Sequence, residues 1–563
     1  MISRRTFLAA AGGALVATQP LMAWAASRSA AADTLYLNGR VWTGLPGAGP
    51  AQAIAVAGNR IVYVGDNDGA RAHAGRRTRI VDLGGAFVMP GIIDNHTHFQ
   101  RSSFMLSQAQ LRDAATREEF VERVGKAAHE LPAGRWLRGG NWDAERWGGE
   151  LPTRHWIDPV TGDVPVAVVR LDQHLLLANS VAMRLAGVTR DTPDPEGGVI
   201  GRDEDGEPNG LFRDRAKALV EDAIPPSSHA DIEAALKAGS DYALSLGVTQ
   251  VHITEVYTDT QEALRRWRAK GPTPIRFYSL VPIEGWEAVA AEVASDGRGD
   301  DWVRWGGVKG LVDGSLGSRT ALFEAPYADD PHNHGLFRQP PERLQEMITG
   351  ADAAGLHVAI HAIGDRANDL LFDMFAAVVE RNGPRDRRFR LEHAQHLAER
   401  DIPRFAAQDV IASMQPYHAI DDGRWAERPL GKDRLHGAWA VRSLLDAGAR
   451  VTFGSDWPVA PLDPLLGLQA AVLRQTLDGL NPDGWVPEQR ITMDEALTAY
   501  TVSNAHAGFQ EDRLGRVAPG MIADLAIFDR DLTITDPAHL HEAKVLRTVV
   551  DGGVGYDSGA LAG

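Results

Sequence analysis

The chain has 563 residues, 44% apolar and 24% charged, enough for a barrel-sized enzyme domain plus a smaller unit in a soluble protein. A formal net charge of −17 excludes the basic footprint of a phosphate-backbone binder, and no nucleic-acid-binding motif is present. The absence of cysteine excludes disulfides, thiolate metal sites and thiol nucleophiles, so a metal would fall to His, carboxylates or a rarer donor.

In chain order, "SRRTFLAAAGGALVA" sets Arg4 and Arg5 before a short apolar run that ends near "AWA". A basic start, a weakly apolar middle and a small-x-small end describe a secretory signal, and the adjacent arginines resemble the twin-arginine type. The run is too short for a spanning helix. Residues 1–32 are therefore expected to be a signal and linker read by the twin-arginine export machinery. That route carries proteins already folded, and the mature protein would be periplasmic or secreted. Next come "DTLYLNGRVWTG", "AIAVAGNRIVYVGD" and "RIVDLGGAFVMPG", short Val/Ile/Tyr runs between Gly and Asn turns that read as small antiparallel sheets. The same texture returns in "GRVAPGMIADLAIFDRD" and "KVLRTVVDGGVGYD". Each arm holds too few strands to close a core, so residues 33–86 and 507–563 are expected to form one β-sandwich.

Between the arms, over residues 87–506, short apolar strands alternate with amphipathic helices. Eight strands are predicted: "FVMPGIIDNHTH" from Phe87, "GVTQVHI" from Gly247, "PIRFYSLV" from Pro274 and "VRWGGVKGLV" from Val303, then "HVAIHAI" from His357, "RFRLEHA" from Arg388, "VIASMQP" from Val410 and "RVTFGSD" from Arg450. Repeated β-then-α units imply a parallel sheet with crossover helices, and eight of them a (β/α)8 TIM barrel, an α/β fold. The gap after strand one is too long for one crossover, so residues from about 100 to 230 form an insertion rich in Trp, Gly and charge.

Active sites in such barrels lie at the C-terminal strand ends. Strand one ends in His96 and His98, two apart and so on one face. Strand four carries Lys309, strand five His361, strand six His393 and strand eight Asp456. Each alone has an ordinary reading: a satisfied core histidine, a turn or cap aspartate, a lysine paired with Asp313. Their shared position at separate strand ends is what singles them out.

At these six positions the chain resembles the amidohydrolase superfamily, whose hallmark is His-x-His on strand one, Lys on strand four, His on strands five and six, and Asp on strand eight. The stretches "MPGIIDNHTH", "GGVKGLVDGSLGSRTA", "IHAIGDRAND", "RLEHAQHL", "QPYHAIDD" and "GSDWPVAPLDP" are similar to the amidohydrolase 3, or YtcJ-like, subfamily over nearly the whole mature chain. The resemblance implies metal ligation by His96, His98, Lys309, His361, His393 and Asp456, with two Zn²⁺ ions, or Mn, Ni or Fe in their place. It also implies that Lys309 is carboxylated on Nζ as a bridging carbamate; an ammonium beside a one-metal site is the alternative. Hydrolysis would use metal-activated hydroxide, with Asp456 passing the proton to the leaving nitrogen.

The implied substrate is a small molecule with a non-peptide C–N bond, an amide or an N-substituted formamide. A lactone, ester or cyclic imide at the same site is the second reading, and a non-catalytic binding or regulatory protein the third. Arg319, Asp313 and His174 are candidates to bind substrate, with a structural role equally open to each. His252 reads as structural. The aromatic stretches "NWDAERWGG" and "YHAIDDGRW" suggest an apolar or aromatic substrate portion, core packing being the alternative. Self-association into a homo-oligomer is compatible with the sequence.

Overall fold

The computed structural model describes residues 31–106, 108–132, 134–170, 175–254 and 259–561. The predicted export signal and His174 lie outside these residues. Among them, no helix is long and apolar enough to cross a membrane.

Eight parallel strands form the central sheet: β1 (Ile92–Thr97), β2 (Val248–Ile253), β3 (Arg276–Pro282), β4 (Val303–Leu311), β5 (His357–Ala362), β6 (Arg390–His393), β7 (Ile411–Met414) and β8 (Val451–Phe453). Their spatial order follows the chain, each strand pairing in parallel with the next. Such pairing needs a crossover, and the intervening helices supply it. The helix Asp365–Asn382 shows the local rule. Ala367, Leu371, Phe372, Phe375 and Val378 recur at helical spacing and are buried against the barrel, and Gly383, with φ of 77°, ends it. Burying each such large apolar side chain contributes about 1.5–3 kcal/mol.

β8 meets β1 through side chains and a short backbone seam. Thr97 and Trp457 form a parallel bridge, Asp456 N donates to His96 O at 2.8 Å, and His98 N donates to Trp457 O at 2.9 Å. Lower down, the Asn504 amide donates to Ile93 O and Phe453 O, at 2.5 and 2.7 Å. Gly454 sits where the two strands converge: a Cβ there would fall 2.7 Å from both Asn95 Oδ1 and His96 N. The barrel is thus closed at the point where His96, His98 and Asp456 emerge.

The run expected as one strand from Phe87 is two. Phe87–Pro90 joins a five-stranded sheet with Arg40–Val41, Leu525–Phe528, Val545–Val550 and Gly553–Asp557. The chain then steps across Gly91 into β1. Gly91 N donates to Asp524 O, and a Cβ there would fall 2.3 Å from Thr249 Oγ1, so no side chain fits at the step. A four-stranded sheet (Arg60–Gly65, Ala53–Ala57, Ala32–Leu37, Ala74–Asp82) packs on the five-stranded one through Ile54, Val56, Val88, Ile527 and Val549. This is the β-sandwich built from both termini. Buried Arg276, at the start of β3, ties it to the barrel by pairing with Asp524 and Asp551 at 2.7 and 2.9 Å.

The insertion has its own architecture, which the sequence reading did not foresee. Six short strands between Ala109 and Asp214 form a sheet of their own, with Phe120, Trp142, Trp156 and Leu177 in one of its cores. Trp142 and Trp156 are buried there and build the core, and the cavity at the barrel mouth is lined by neither.

Candidate active site

At the C-terminal end of the barrel, a cavity of about 410 Å³ is lined by His98, Lys309, His361, His393, His418 and Asp456, with Trp425, Asp421 and Asp422 further along its wall. Fully buried His96 lies directly beneath. Larger hollows exist elsewhere, such as one of about 830 Å³ beside Arg265 and Glu292, but no histidine lines it.

The closing seam sets the first group of ligating atoms. His98 Nε2 lies 3.1 Å from Asp456 Oδ1, and His96 Nε2 lies 3.6 Å from the same oxygen. Asp456 has φ of 59° and His393 φ of 77°, left-handed backbone that non-glycine residues adopt at a cost of about 1–3 kcal/mol and that clusters at functional sites. At His393 the distortion has a visible purpose. Arg390 and Glu392, two apart, both face the barrel interior, so strict alternation would turn His393 away from it. The left-handed turn at His393 brings its imidazole to the mouth, ring centroid 4.4 Å from that of His361 and 4.8 Å from that of His96.

Hydrogen bonds on the far side of each ring decide which nitrogen is left for the cavity. Burial raises the Glu392 carboxyl, but Arg390, His96 and Lys309 outweigh it and hold the group well below its usual range, so it is ionised and can only accept. It takes His96 Nδ1–H at 2.5 Å and the Ser413 hydroxyl at 2.6 Å, and Arg390 pairs with its other oxygen at 2.7 Å. His96 therefore presents Nε2. His393 Nδ1 faces Gln415 Oε1 at 2.8 Å, leaving Nε2; His361 Nε2 donates to Gly314 O at 3.1 Å, leaving Nδ1. Burial, with the Lys309 charge second, pushes His96 down to about 4 and His361 to about 3, while burial first, and then the neighbouring His361 ring, push His393 well down. All three are neutral imidazoles at neutral pH, the state a metal ligand requires. Burial also raises Asp456, but His96, His98 and His393 override it and keep the carboxylate ionised.

These donors fit a metal. Among the described residues, His96 Nε2 and His418 Nε2 are buried without a hydrogen-bond partner, a costly arrangement unless something else completes them. Two triads, His96–His98–Asp456 and His393–His418–Asp456, bring one ligand atom per residue within 4.8 Å of one another and share Asp456. Lys309 is buried beside them, and burial lowers its ammonium pKa despite Glu392 and Asp456 nearby. Among the described residues no carboxylate lies within 4 Å of it. Asp313 in particular is not its partner.

The six residues read from strand ends thus converge, whereas the substrate-binding candidates Asp313 and Arg319 do not join them. Asp313 is fully buried below the cavity wall, its oxygens accepting from the amides of Leu322, Ile363 and Gly364 at 2.8–3.0 Å, and burial pushes its carboxyl up to about 7. It braces the turn after β5 on which His361 sits. Arg319 is turned onto Asp329 in a two-bond pair at 2.6 and 3.1 Å, and its loop neighbours Ser315, Leu316 and Gly317 line the cavity in its place. His174 lies outside the described residues. His252 is buried lower in the barrel against Arg390 and Gln250. Sequence reasoning missed Glu392, Gln415 and His418. The first was within reach: Glu392 stands beside His393 on a predicted barrel strand, where a carboxylate is buried and costly unless it is paired.

A parallel (β/α)8 barrel with clustered imidazoles and a carboxylate at its C-terminal mouth defines a metal-dependent hydrolase. The profile of the amidohydrolase family matches residues 79–556, and the chain belongs to that family. It is 38% identical to the protein LONG AFTER FAR-RED 3 of Arabidopsis thaliana, over 92% of this chain and 91% of that one. It is 30% identical to the N-substituted formamide deformylase of Arthrobacter pascens, over 93% of this chain and 98% of that one. Among solved structures, an uncharacterised metal-dependent hydrolase of Pyrococcus horikoshii is similar with a TM-score of 0.75 and 28% identity, covering 90% of this chain and 99% of that one.

Proposed function

We propose that this amidohydrolase-family enzyme cleaves a non-peptide C–N bond, an amide or N-substituted formamide, with two divalent ions, zinc by the chemistry of the donors. The carrying observation is the convergence of the His96, His98, His361 and His393 imidazoles, one ionised carboxylate and a buried lysine with no carboxylate partner among the described residues on one cavity. The likeness to a formamide deformylase along nearly its full length supports the bond type. His96 and His393 through Nε2, His361 through Nδ1, and His98, Asp456 and Lys309 would hold the ions, with Lys309 as a carbamate. Bound there, the ions supply Lewis-acid polarisation of a carbonyl and a water acidic enough to attack near neutral pH.

The chain's own residues do the rest. Asp456, ionised and within reach of the histidine cluster, accepts the proton of the attacking water. It returns that proton to the nitrogen as the C–N bond breaks, leaving a carboxylic acid and an amine. Glu392 and Gln415 hold the His96 and His393 rings in one orientation. Leu311, Leu316, Ile363 and Trp425 give the cavity an apolar wall that excludes water from the reacting carbonyl. Twin-arginine export to the periplasm or beyond is part of the same reading, since folded export suits an enzyme that loads metal first.

The test is a panel of N-substituted formamides, other amides, lactones and esters with the zinc-loaded protein. Formate or carboxylate release from the amides supports the reading; turnover of esters or lactones alone would move it to the second bond class. Lys309→Ala that regains activity with added short carboxylates supports the carbamate, and unchanged metal content and activity in that variant would refute it.

A further inference from the structure

His418 belongs to no ligand set that the strand-end pattern defines, yet it is nine-tenths buried and lines the same cavity as Lys309, His361, His393 and Asp456. It stands on the short helix Pro416–Asp422 that follows β7, the one strand among β4 to β8 whose end contributes nothing to the six predicted ligands. Its Nε2 is buried with no hydrogen-bond partner among the described residues, 3.9 Å from Asp456 Oδ2, and its ring is nearly parallel to that of His393, 12° apart at 6.4 Å between centroids. A buried ring nitrogen without a partner marks a place where something else must bind.

Two occupants fit a nitrogen so placed: a metal, or a substrate atom. The surroundings favour the substrate. His96, His361 and His393 each have the far ring nitrogen held by Glu392, Gly314 or Gln415, the support that fixes a metal-ligating imidazole. Among the described residues His98 and His418 have no such bond, but His98 Nε2 is drawn onto Asp456 Oδ1 at 3.1 Å, whereas His418 Nε2 stands off at 3.9 Å from Asp456 Oδ2. The 3.9 Å between His418 Nε2 and Asp456 Oδ2 is too long for a direct hydrogen bond, so the carboxylate does not occupy the nitrogen, which is left for a group in the cavity.

We propose that His418 is a catalytic residue whose Nε2–H donates to the carbonyl oxygen of the substrate, and that this bond strengthens as negative charge gathers on that oxygen. The inference rests on the hydrolytic reading above and deepens it by naming a carbonyl-binding group at the β7 end. In the step it serves, the water oxygen forms a bond to the carbonyl carbon, and the C=O π pair moves onto the oxygen facing His418. Asp456 takes the water proton. When the C–N bond breaks, the pair on oxygen re-forms C=O, the bonding electrons leave with nitrogen, and the proton goes from Asp456 to that nitrogen. His418 gives up no proton, and no oxidant or further reactant is required. Donors aimed at developing charge in a water-poor site act mainly on the transition state.

The test compares zinc-loaded wild type, His418→Leu and His418→Asn in three measurements: zinc stoichiometry and affinity by chelator competition, kcat and KM on the best amide substrate, and calorimetric binding of methylphosphonate as a tetrahedral oxyanion mimic. The expected result is zinc binding equal to wild type in both variants. In His418→Leu, kcat falls about 10²–10³-fold with KM little changed, and methylphosphonate binding weakens in step. His418→Asn, which keeps an N–H donor, recovers part of both. Loss of one zinc ion in His418→Leu would overturn the proposal and make His418 a ligand. Unchanged kcat and unchanged methylphosphonate affinity would overturn it as well. If wild type hydrolyses none of the panel, the hydrolytic reading fails, and the methylphosphonate comparison still decides whether His418 binds an oxyanion.

Discussion

Glu392 is the residue on which the site's precision depends. It is fully buried, and its charge is offset by Arg390 while its other oxygen holds His96 Nδ1–H. Glu392→Gln keeps the shape but weakens the grip on the imidazole, and metal affinity should fall about 10–100-fold in a chelator competition. Glu392→Ala leaves Arg390 buried without its partner, and denaturant unfolding should show a loss of about 3–5 kcal/mol. Asp313 makes the contrasting case. Its three backbone acceptor bonds predict that Asp313→Ala lowers stability by about 3 kcal/mol, since buried amides lose their partner. Any loss of activity should then track unfolding. A purely kinetic defect in a fully stable Asp313→Ala would restore the substrate-binding role expected from sequence.

At the scale of elements, the seam between β1 and β8 is the critical joint, because both strands deliver ligating atoms at their ends. Gly454→Ala would press a methyl group to within 2.7 Å of Asn95 Oδ1 and His96 N. It should cost about 1–3 kcal/mol and weaken metal binding together, read as lower thermal stability and a right-shifted zinc titration. Most of this layer was legible in the sequence. Seven of the predicted strands begin within two residues of those observed, because buried parallel strands read as short apolar runs ended by polar or glycine residues. The error at Phe87 has a clear cause: two strands of different sheets share one apolar run, and only Gly91 marks the step. The insertion's sheet was hidden because its strands are two to seven residues long and lie between turns. Among site residues, those at strand ends could be found by position alone. Glu392, Gln415 and His418 act through side-chain direction, and in the case of Glu392 beside His393, direction departs from alternation through a left-handed residue that no local pattern announces.

For the whole molecule, the sandwich, barrel and insertion are held by separate cores and joined by a few buried contacts such as Arg276 with Asp524 and Asp551. A metal that binds only the folded barrel should stabilise it by mass action, by about 2.7 kcal/mol when free zinc is a hundred times its Kd. Thermal unfolding should therefore shift down on chelation and return with zinc, the shift growing with zinc concentration. Export belongs to this scale too. Replacing Arg4 and Arg5 by Lys should leave the protein in the cytoplasmic fraction, while wild type reaches the periplasm or medium; equal distribution of the two would remove the twin-arginine assignment.

The central claim is that the residues gathered at the barrel mouth form a divalent-metal site. Anomalous diffraction at the zinc edge from crystals of zinc-loaded protein tests it directly. Peaks about 2.0–2.2 Å from His96 Nε2, His361 Nδ1, His393 Nε2 and an Asp456 oxygen are the predicted result. Zinc-loaded crystals with no peak at the mouth, or with the metal seated elsewhere, would contradict it.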